Sequence, residues 1–391
     1  MEVRRKASMA GLALVPVLAA LYVGGTQIPG GALWPWNPGM IDLEVYRRTG
    51  TLVLSGGDFF NAEGLPWIYP PFAALLTVPF AWVPFGVAAV AWLVLSVAAL
   101  AAVLYRLGMT TWRLSLATTL CVLVVEPVRE TLGFGQLAIF LVAAAVLDSM
   151  PGPRVLPRRV LGEGWLTGVA TAVKLTPAVV AAYNFFAGRR KPGLVAFASF
   201  LVATGLGFAL LPAASIHYWG KLAMGDTGMN SGIVYATNQS IMGVWTRLLG
   251  YTGRGGLLLS GLVVVLGIVA AVAVHRRGEV PLAICLAGVT SLLASPISWS
   301  HHYVWIVPLG VVLWQARDLP GWYRWFGLAY VAWGAVAPFK WLPRGDDIEL
   351  TYAWWQQLVD NIGVFAGVGL LVGAVVISRG AWGRRVGGLA A

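Results

Sequence analysis

Two residues stand out as chemically active against their surroundings: a carboxylate, Asp42, and a cation, Lys174. Asp42 opens the polar run Asp42-Leu43-Glu44-Val45-Tyr46-Arg47-Arg48, directly after the first hydrophobic segment. On a helix over 41 to 54, Glu44 has Arg47 and Arg48 three and four residues on and can pair with them. Asp42 has Val45 and Tyr46 at those offsets and finds no local cation. An acid so placed can act as a general base. The competing reading is that Asp42 caps the helix that follows Pro38-Gly39. Asp58 is a second acid, but Gly56 and Gly57 before it mark a turn residue.

Lys174 lies in an apolar segment, where a charge is expensive and a functional pairing is the default expectation; snorkelling to an interface is the alternative. His301 and His302 follow Ser298-Trp299-Ser300 beside Tyr303 and Trp305, a setting suited to a phosphate or a sugar. Neither HExxH nor a cluster of aspartates accompanies them, so no metal is expected. Asn238-Gln239-Ser240 reads either as hydrogen-bonding groups for a substrate or as a glycosylation acceptor. Tryptophans at 34, 36, 67, 354 and 355 can stack on sugars or anchor the chain at an interface.

The elements that must position these groups are membrane helices. The chain has 391 residues, of which 58% are hydrophobic and 11% charged, against about 25% charged in a soluble domain. Its apolar runs are long and unbroken, which gives an all-α polytopic membrane protein and excludes an alternating barrel. The net charge of +11 sits mostly in short turns between apolar runs, which fits lipid headgroups and cytoplasmic loops rather than a nucleic-acid surface. Cys121 and Cys285 lie inside apolar runs as small core residues.

Basic turns set the expected topology. Arg4, Arg5 and Lys6 place the N-terminus inside, ahead of a span near 9 to 25. Further spans are expected near 85 to 105, 113 to 127, 135 to 149, 193 to 211, 257 to 274, 280 to 296, 303 to 316, 322 to 338 and 360 to 378. Arg154, Arg158 and Arg159, and then Arg189, Arg190 and Lys191, mark two cytoplasmic turns. The stretch between them holds only about 30 residues, too few for two full spans. Residues 163 to 187 are therefore expected to form a short hairpin broken at Lys174-Leu175-Thr176-Pro177. Counting that hairpin twice gives about 12 helices, with both termini cytoplasmic and Arg384 and Arg385 inside. Polar residues then collect on the outer face, in loops over 26 to 71, 212 to 256 and 339 to 358. Chemistry is expected there, within one integral-membrane domain over 1 to 391. No phosphate-binding glycine loop appears on the inner side, so an activated substrate must already reside in the membrane.

Several motifs in order carry a resemblance. Asp42-Leu43-x-Val45-Tyr46-Arg47, Tyr69-Pro70-Pro71-Phe72, Gly133-Phe134-Gly135-Gln136, Lys174-Leu175-Thr176-Pro177 and Ser295-Pro296-Ile297-Ser298-Trp299-Ser300-His301-His302 are together similar to the family 87 glycosyltransferases of actinobacteria. That family includes polyprenol-phosphate-mannose-dependent α-mannosyltransferases that build phosphatidylinositol mannosides and lipoglycans. The resemblance implies a glycosyltransferase C type fold with the active site on outer-face loops and no cofactor. The donor implied is polyprenol-phosphate-mannose, the acceptor a membrane glycolipid, and the linkage formed is α by inversion. Asp42 would be the base; Lys174, with His301 or His302, would hold the donor phosphate. Tyr46, Tyr69, Gln136, Asn238 and Gln239 are the expected substrate contacts. An arabinofuranosyltransferase using a polyprenol-phosphate donor shares this architecture. A lipid or sugar transporter predicts intramembrane charges along a pathway and an internal repeat, and no repeat is evident.

Overall fold

The computed structural model describes residues 2–156, 158–225 and 232–380. Arg384 and Arg385, and residues 226 to 231 of the expected second outer loop, lie outside these. Among the described residues the regular structure is helical apart from one hairpin of two two-residue strands, Ala32–Leu33 against Trp36–Asn37. It divides into two compact units.

The first unit takes in Met1–Asp148, Gly152–Leu175 and Val195–Asn230. It opens with α1 (Glu2–Thr26), followed by the amphipathic α2 (Ile41–Ser55) and the short α3 (Pro71–Thr77). Next come α4 (Phe85–Arg106), α5 (Thr111–Val124), α6 (Glu126–Phe134), α7 (Ala138–Ser149) and α8 (Trp165–Val173). After α9 (Ala178–Phe186), which belongs to the second unit, the chain returns through α10 (Arg190–Leu210) and α11 (Pro212–Ala223). α1 packs on α4, α5 and α6, and α2 packs on α3 and the 3-10 turn Val78–Trp82.

Gly50 makes the contact of α2 with that turn possible, because any Cβ there would overlap the Thr77 carbonyl oxygen. The region expected as one span near 113 to 127 is two helices: α5 stops at Val124, and α6 leaves it at 76°. Val125 is extended, and Pro127 sits in the first turn of α6, where its missing N–H costs nothing. This bend turns a membrane-directed helix into one that carries Glu130, Thr131 and Gln136 toward the buried side of the unit.

The second unit comprises Ser149–Pro151, Thr176–Leu194 and Ser231–Ala391. With α9 it holds α12 (Ile241–Leu249), α13 (Arg254–His275), α14 (Val280–Ala294), α15 (Ile306–Gln315), α16 (Gly321–Val336) and α17 (Trp354–Arg379). Its core is α14, buried continuously from Leu282 to Leu293 and packed by α9, α13, α15 and α17. Among the described residues, the region 212 to 256 expected as an outer loop holds α11 of the first unit, then α12 and the first turn of α13; the region 339 to 358 is built from 3-10 turns leading into α17.

Four described helices, α4, α10, α13 and α17, are long and apolar enough to cross a membrane, or five if the bent α5–α6 pair is one span. Shorter apolar helices run over Gly11–Thr26, Pro71–Trp82, Ala138–Ser149 and Val280–Ala294. The all-helical, membrane-capable class expected from composition is thus what folds.

Candidate active site

The first turn of α2 places Asp42. Met40 occupies the capping position, and its side chain makes no cap hydrogen bond. Asp42 instead lies in the first turn beside Glu44, where the positive end of the helix favours a carboxylate. Behind Asp42, the face formed by Leu43, Val45, Tyr46, Thr49 and Gly50 is buried. Glu44 pairs with Arg47 at 3.8 Å on the exposed side, whereas Arg48 donates to the Leu65 carbonyl at 2.6 Å.

Tyr46 points inward and meets residues from two other segments. Its hydroxyl lies 3.3 Å from that of Tyr69, and both hydroxyls donate to Gln136 Oε1 at 3.2 Å. The Leu137 backbone N–H donates to the same oxygen at 3.3 Å. Burial pushes both tyrosine hydroxyls well above their ordinary range, so they stay protonated donors. Trp67 and Trp92 ring Tyr46 with centroids 6.1 and 5.6 Å away, which completes an aromatic floor. Trp67 is buried in that floor, whereas Trp34 and Trp354 are 94% and 79% exposed.

Gln136 is delivered by the end of α6. Gly135 closes that helix at φ +72°, and the Gln136 N–H donates to the Thr131 carbonyl at 2.8 Å. A Cβ on Gly135 would come within 2.7 Å of the Leu43 Cβ. The glycine therefore supplies a left-handed turn and a close approach to α2 at once.

Lys174 completes the cluster from the far end of α8. The helix stops at Val173, Lys174 is extended at φ −152°, and Pro177 starts α9. The break falls where the sequence placed it. The Lys174 Nζ sits 5.5 Å from the Tyr69 ring centroid, a cation–π approach. The Asp42 charge reaches Lys174, Tyr46 and Tyr69 electrostatically. Asp42 thus has a cationic neighbour from a segment remote in sequence. Asp42 and Lys174 are partly exposed above buried Tyr46, Tyr69 and Gln136.

Asp58 is a turn residue. Its Oδ1 accepts from Phe60 and Asn61 N–H groups at 2.9 and 3.3 Å, and its Oδ2 from Asn61 Nδ2 at 2.6 Å. The Asn61 amide, helped by those backbone donors, holds the carboxyl below its ordinary range.

The other expected site residues belong to the second unit. Asn238 and Gln239 are fully buried. Asn238 Nδ2 donates to the Ile233 and Pro296 carbonyls at 2.8 and 3.2 Å, while its Oδ1 accepts from Ser298 N–H at 2.8 Å. Gln239 Nε2 donates to Ala236 O at 2.7 Å and Asp360 Oδ1 at 3.0 Å. These bonds tie the 232–240 segment to the Pro296–Ser298 turn and to α17. His301 and His302 share the 3-10 turn Ser300–Trp305, with ring centroids 4.6 Å apart. His301 is buried, and His302 Nδ1 accepts from the Trp299 N–H at 3.1 Å, so one histidine braces its own turn.

Residues 67–296 match glycosyltransferase family 87. The chain belongs to that family. It is 33% identical over 386 residues to the polyprenol-phosphate-mannose-dependent alpha-(1-2)-phosphatidylinositol mannoside mannosyltransferase of Mycobacterium tuberculosis, covering 89% of this chain and 87% of that protein. It is 30% identical over 433 residues to the protein of the same description in Mycolicibacterium smegmatis, covering 97% and 95%. A pentamannoside mannosyltransferase of Mycobacterium tuberculosis is 35% identical over 329 residues, covering 78% and 74%. No solved structure matches the chain.

Within this family 87 chain, the first-unit cluster brings a carboxylate and a cation together beside two buried tyrosine hydroxyls that donate to Gln136. Among the described residues no group of three metal-ligating side chains comes together. Sequence reasoning missed a second polar network. Arg247 Nε pairs with Asp360 Oδ2 at 2.9 Å, both fully buried, and Arg247 also donates to Asn361 Oδ1 at 2.8 to 2.9 Å. The available signal was Asp360 itself, an acid inside an expected span.

Proposed function

We propose that this chain transfers mannose from polyprenol-phosphate-mannose to a hydroxyl of a phosphatidylinositol-based glycolipid, on the outer face of the cytoplasmic membrane. The observation that carries the reading is the convergence of Asp42 and Lys174 over the Tyr46–Tyr69–Gln136 floor in a family 87 chain. The relatives' names as polyprenol-phosphate-mannose-dependent phosphatidylinositol mannoside mannosyltransferases support the donor and the acceptor class.

The mechanism follows from the charges. Before donor binding, Lys174 and Asp42 balance one another. The arriving phosphate draws Lys174 to itself, and Asp42 is left as the carboxylate nearest the acceptor. The acceptor oxygen attacks the anomeric carbon of the β-mannosyl phosphate from the side opposite the phosphate, forming the new C–O bond. The bond from that carbon to the phosphate oxygen breaks, and the electron pair leaves with polyprenol phosphate. Asp42 takes the acceptor hydroxyl proton as the oxygen loses it. Inversion converts the β donor into an α product. Lys174 counters the charge that grows on the departing phosphate, which lowers the barrier where charge develops. Tyr46 and Tyr69 keep the base and the cation in register through Gln136. The finer architecture proposed is a glycosyltransferase C type fold of about 12 crossings, with both termini cytoplasmic.

Transfer of radiolabelled mannose from polyprenol-phosphate-mannose into phosphatidylinositol mannosides in membranes tests this, with wild type and Asp42→Asn at matched expression. The expected result is transfer by wild type and a loss of roughly 10²–10⁴-fold in the variant, the usual contribution of a positioned base. Equal transfer by both would remove Asp42 from the chemistry, and no transfer by wild type would remove this donor.

A further inference from the structure

A basic cavity lies at the opposite end of α8 from Lys174, on the first unit. It has a volume of about 280 Å³ and is lined by Arg106, Asp148, Arg154, Arg158, Arg159 and Trp165 together with aliphatic side chains. Its inner wall is fixed by hydrogen bonds. Asp148 caps the start of α8, accepting from Gly164 N–H at 2.9 Å, Thr167 N–H at 3.0 Å and Thr167 Oγ1 at 2.9 Å. Arg159 binds back onto Asp148, with Nη2 donating to the backbone carbonyl at 2.6 Å and Nη1 lying 3.5 Å from Oδ1. Arg106 is buried and donates to the carbonyls of Leu147, Gly152 and Pro153.

Among the described lining residues one carboxylate therefore stands against four guanidinium groups, and it is already bound by Arg159 and the α8 backbone. The Arg106 charge lies within electrostatic reach of Arg154 and Arg159, so three cations repel one another across a small space. Clustering of this kind is stabilised by an anion. Arg154 and Arg158 are exposed at the mouth and can close on one. The rim carries the second signal: Val155, Leu156, Val160 and Leu161 are 51, 64, 87 and 48% exposed. Aliphatic side chains alternating with arginines suit neither water nor a soluble anion alone. They suit the boundary between headgroups and acyl chains.

We propose that this cavity binds the phosphate of an anionic bilayer lipid, its acyl chains lying against Val155, Leu156, Val160 and Leu161. The site is separate from the Asp42–Lys174 cluster, since the nine residues of α8 hold the two about 13 Å apart along its axis.

The test is native mass spectrometry of the full chain purified in detergent, titrated with dioleoyl-phosphatidylglycerol or dioleoyl-phosphatidylcholine. Phosphatidylglycerol carries one phosphate and no inositol, so acceptor binding does not intrude. The expected result is retained phosphatidylglycerol, little phosphatidylcholine, and a roughly thirtyfold weaker phosphatidylglycerol adduct in Arg154→Gln/Arg158→Gln, as two lost surface cations imply. Leu156→Asp/Val160→Asp leaves the arginines in place and is expected to weaken the adduct as well. Equal retention of the two lipids, or wild-type phosphatidylglycerol binding by Arg154→Gln/Arg158→Gln with an unchanged melting temperature, would overturn the proposal. Displacement of phosphatidylglycerol by inorganic phosphate, with Leu156→Asp/Val160→Asp indistinguishable from wild type, would overturn the lipid assignment in favour of a soluble anion.

Discussion

At the scale of single residues, the cluster divides into groups that meet substrate and groups that hold them. Lys174 belongs to the first kind. Lys174→Met is expected to raise the KM for polyprenol-phosphate-mannose and lower kcat, because a cation on the leaving phosphate acts in both binding and transition state. Lys174→Arg keeps the charge and is expected to recover part of the loss; a steady-state titration of donor separates the two. Gln136 belongs to the second kind. Gln136→Leu leaves the Tyr46 and Tyr69 hydroxyls without their shared acceptor, at a cost of about 1–3 kcal/mol for each buried group. A thermal melt of the purified variant should show a lower midpoint, while Tyr69→Phe, which removes a donor and not the acceptor, should melt closer to wild type.

Helix ends and crossings decide where those residues sit. The α6–Gln136 junction depends on Gly135, whose left-handed backbone and contact with Leu43 leave no place for a side chain. Gly135→Val is expected to cost at least the 1–3 kcal/mol of a strained backbone, with activity falling as Gln136 shifts. In the second unit, Asp360→Asn uncovers the buried Arg247 guanidinium and should destabilise by about 3–5 kcal/mol. Loss of folded protein in a proteolysis assay would register it; wild-type resistance would show that Asn361 and the carbonyls around Arg247 suffice without the ion pair. Elements also show where sequence reading holds. The break at Lys174–Pro177, the Asp58 turn and the Glu44–Arg47 pair were legible because each is set by neighbours within a few residues. The α5–α6 bend was not legible as an apolar run, although Pro127 marked the place.

For the whole molecule, the proposed hairpin sets the Lys174 end of α8 toward the outer face and its Arg154 end toward the inner face. In a Cys121→Ala/Cys285→Ala background, a cysteine at 174 is expected to label from the outer face with a membrane-impermeant thiol reagent. A cysteine at 154 is expected to label only after the inner face is opened. Labelling of both from one side would reject the proposed hairpin and with it the outer-face active site. By itself, the sequence determined the class, the apolar helices, the polar breaks between them and the family, because hydrophobic runs, charges and short motifs are local and survive in one dimension. It also named Asp42, Lys174, Tyr46, Tyr69 and Gln136 individually. Only the tertiary structure decided that these five converge, that Asp42 has a cationic neighbour, and that Asn238 and Gln239 are buried in the second unit. Such pairings depend on which helix faces pack together, and a close crossing such as α2 over Gly135 is fixed by shape across distant segments rather than by any neighbour in the chain.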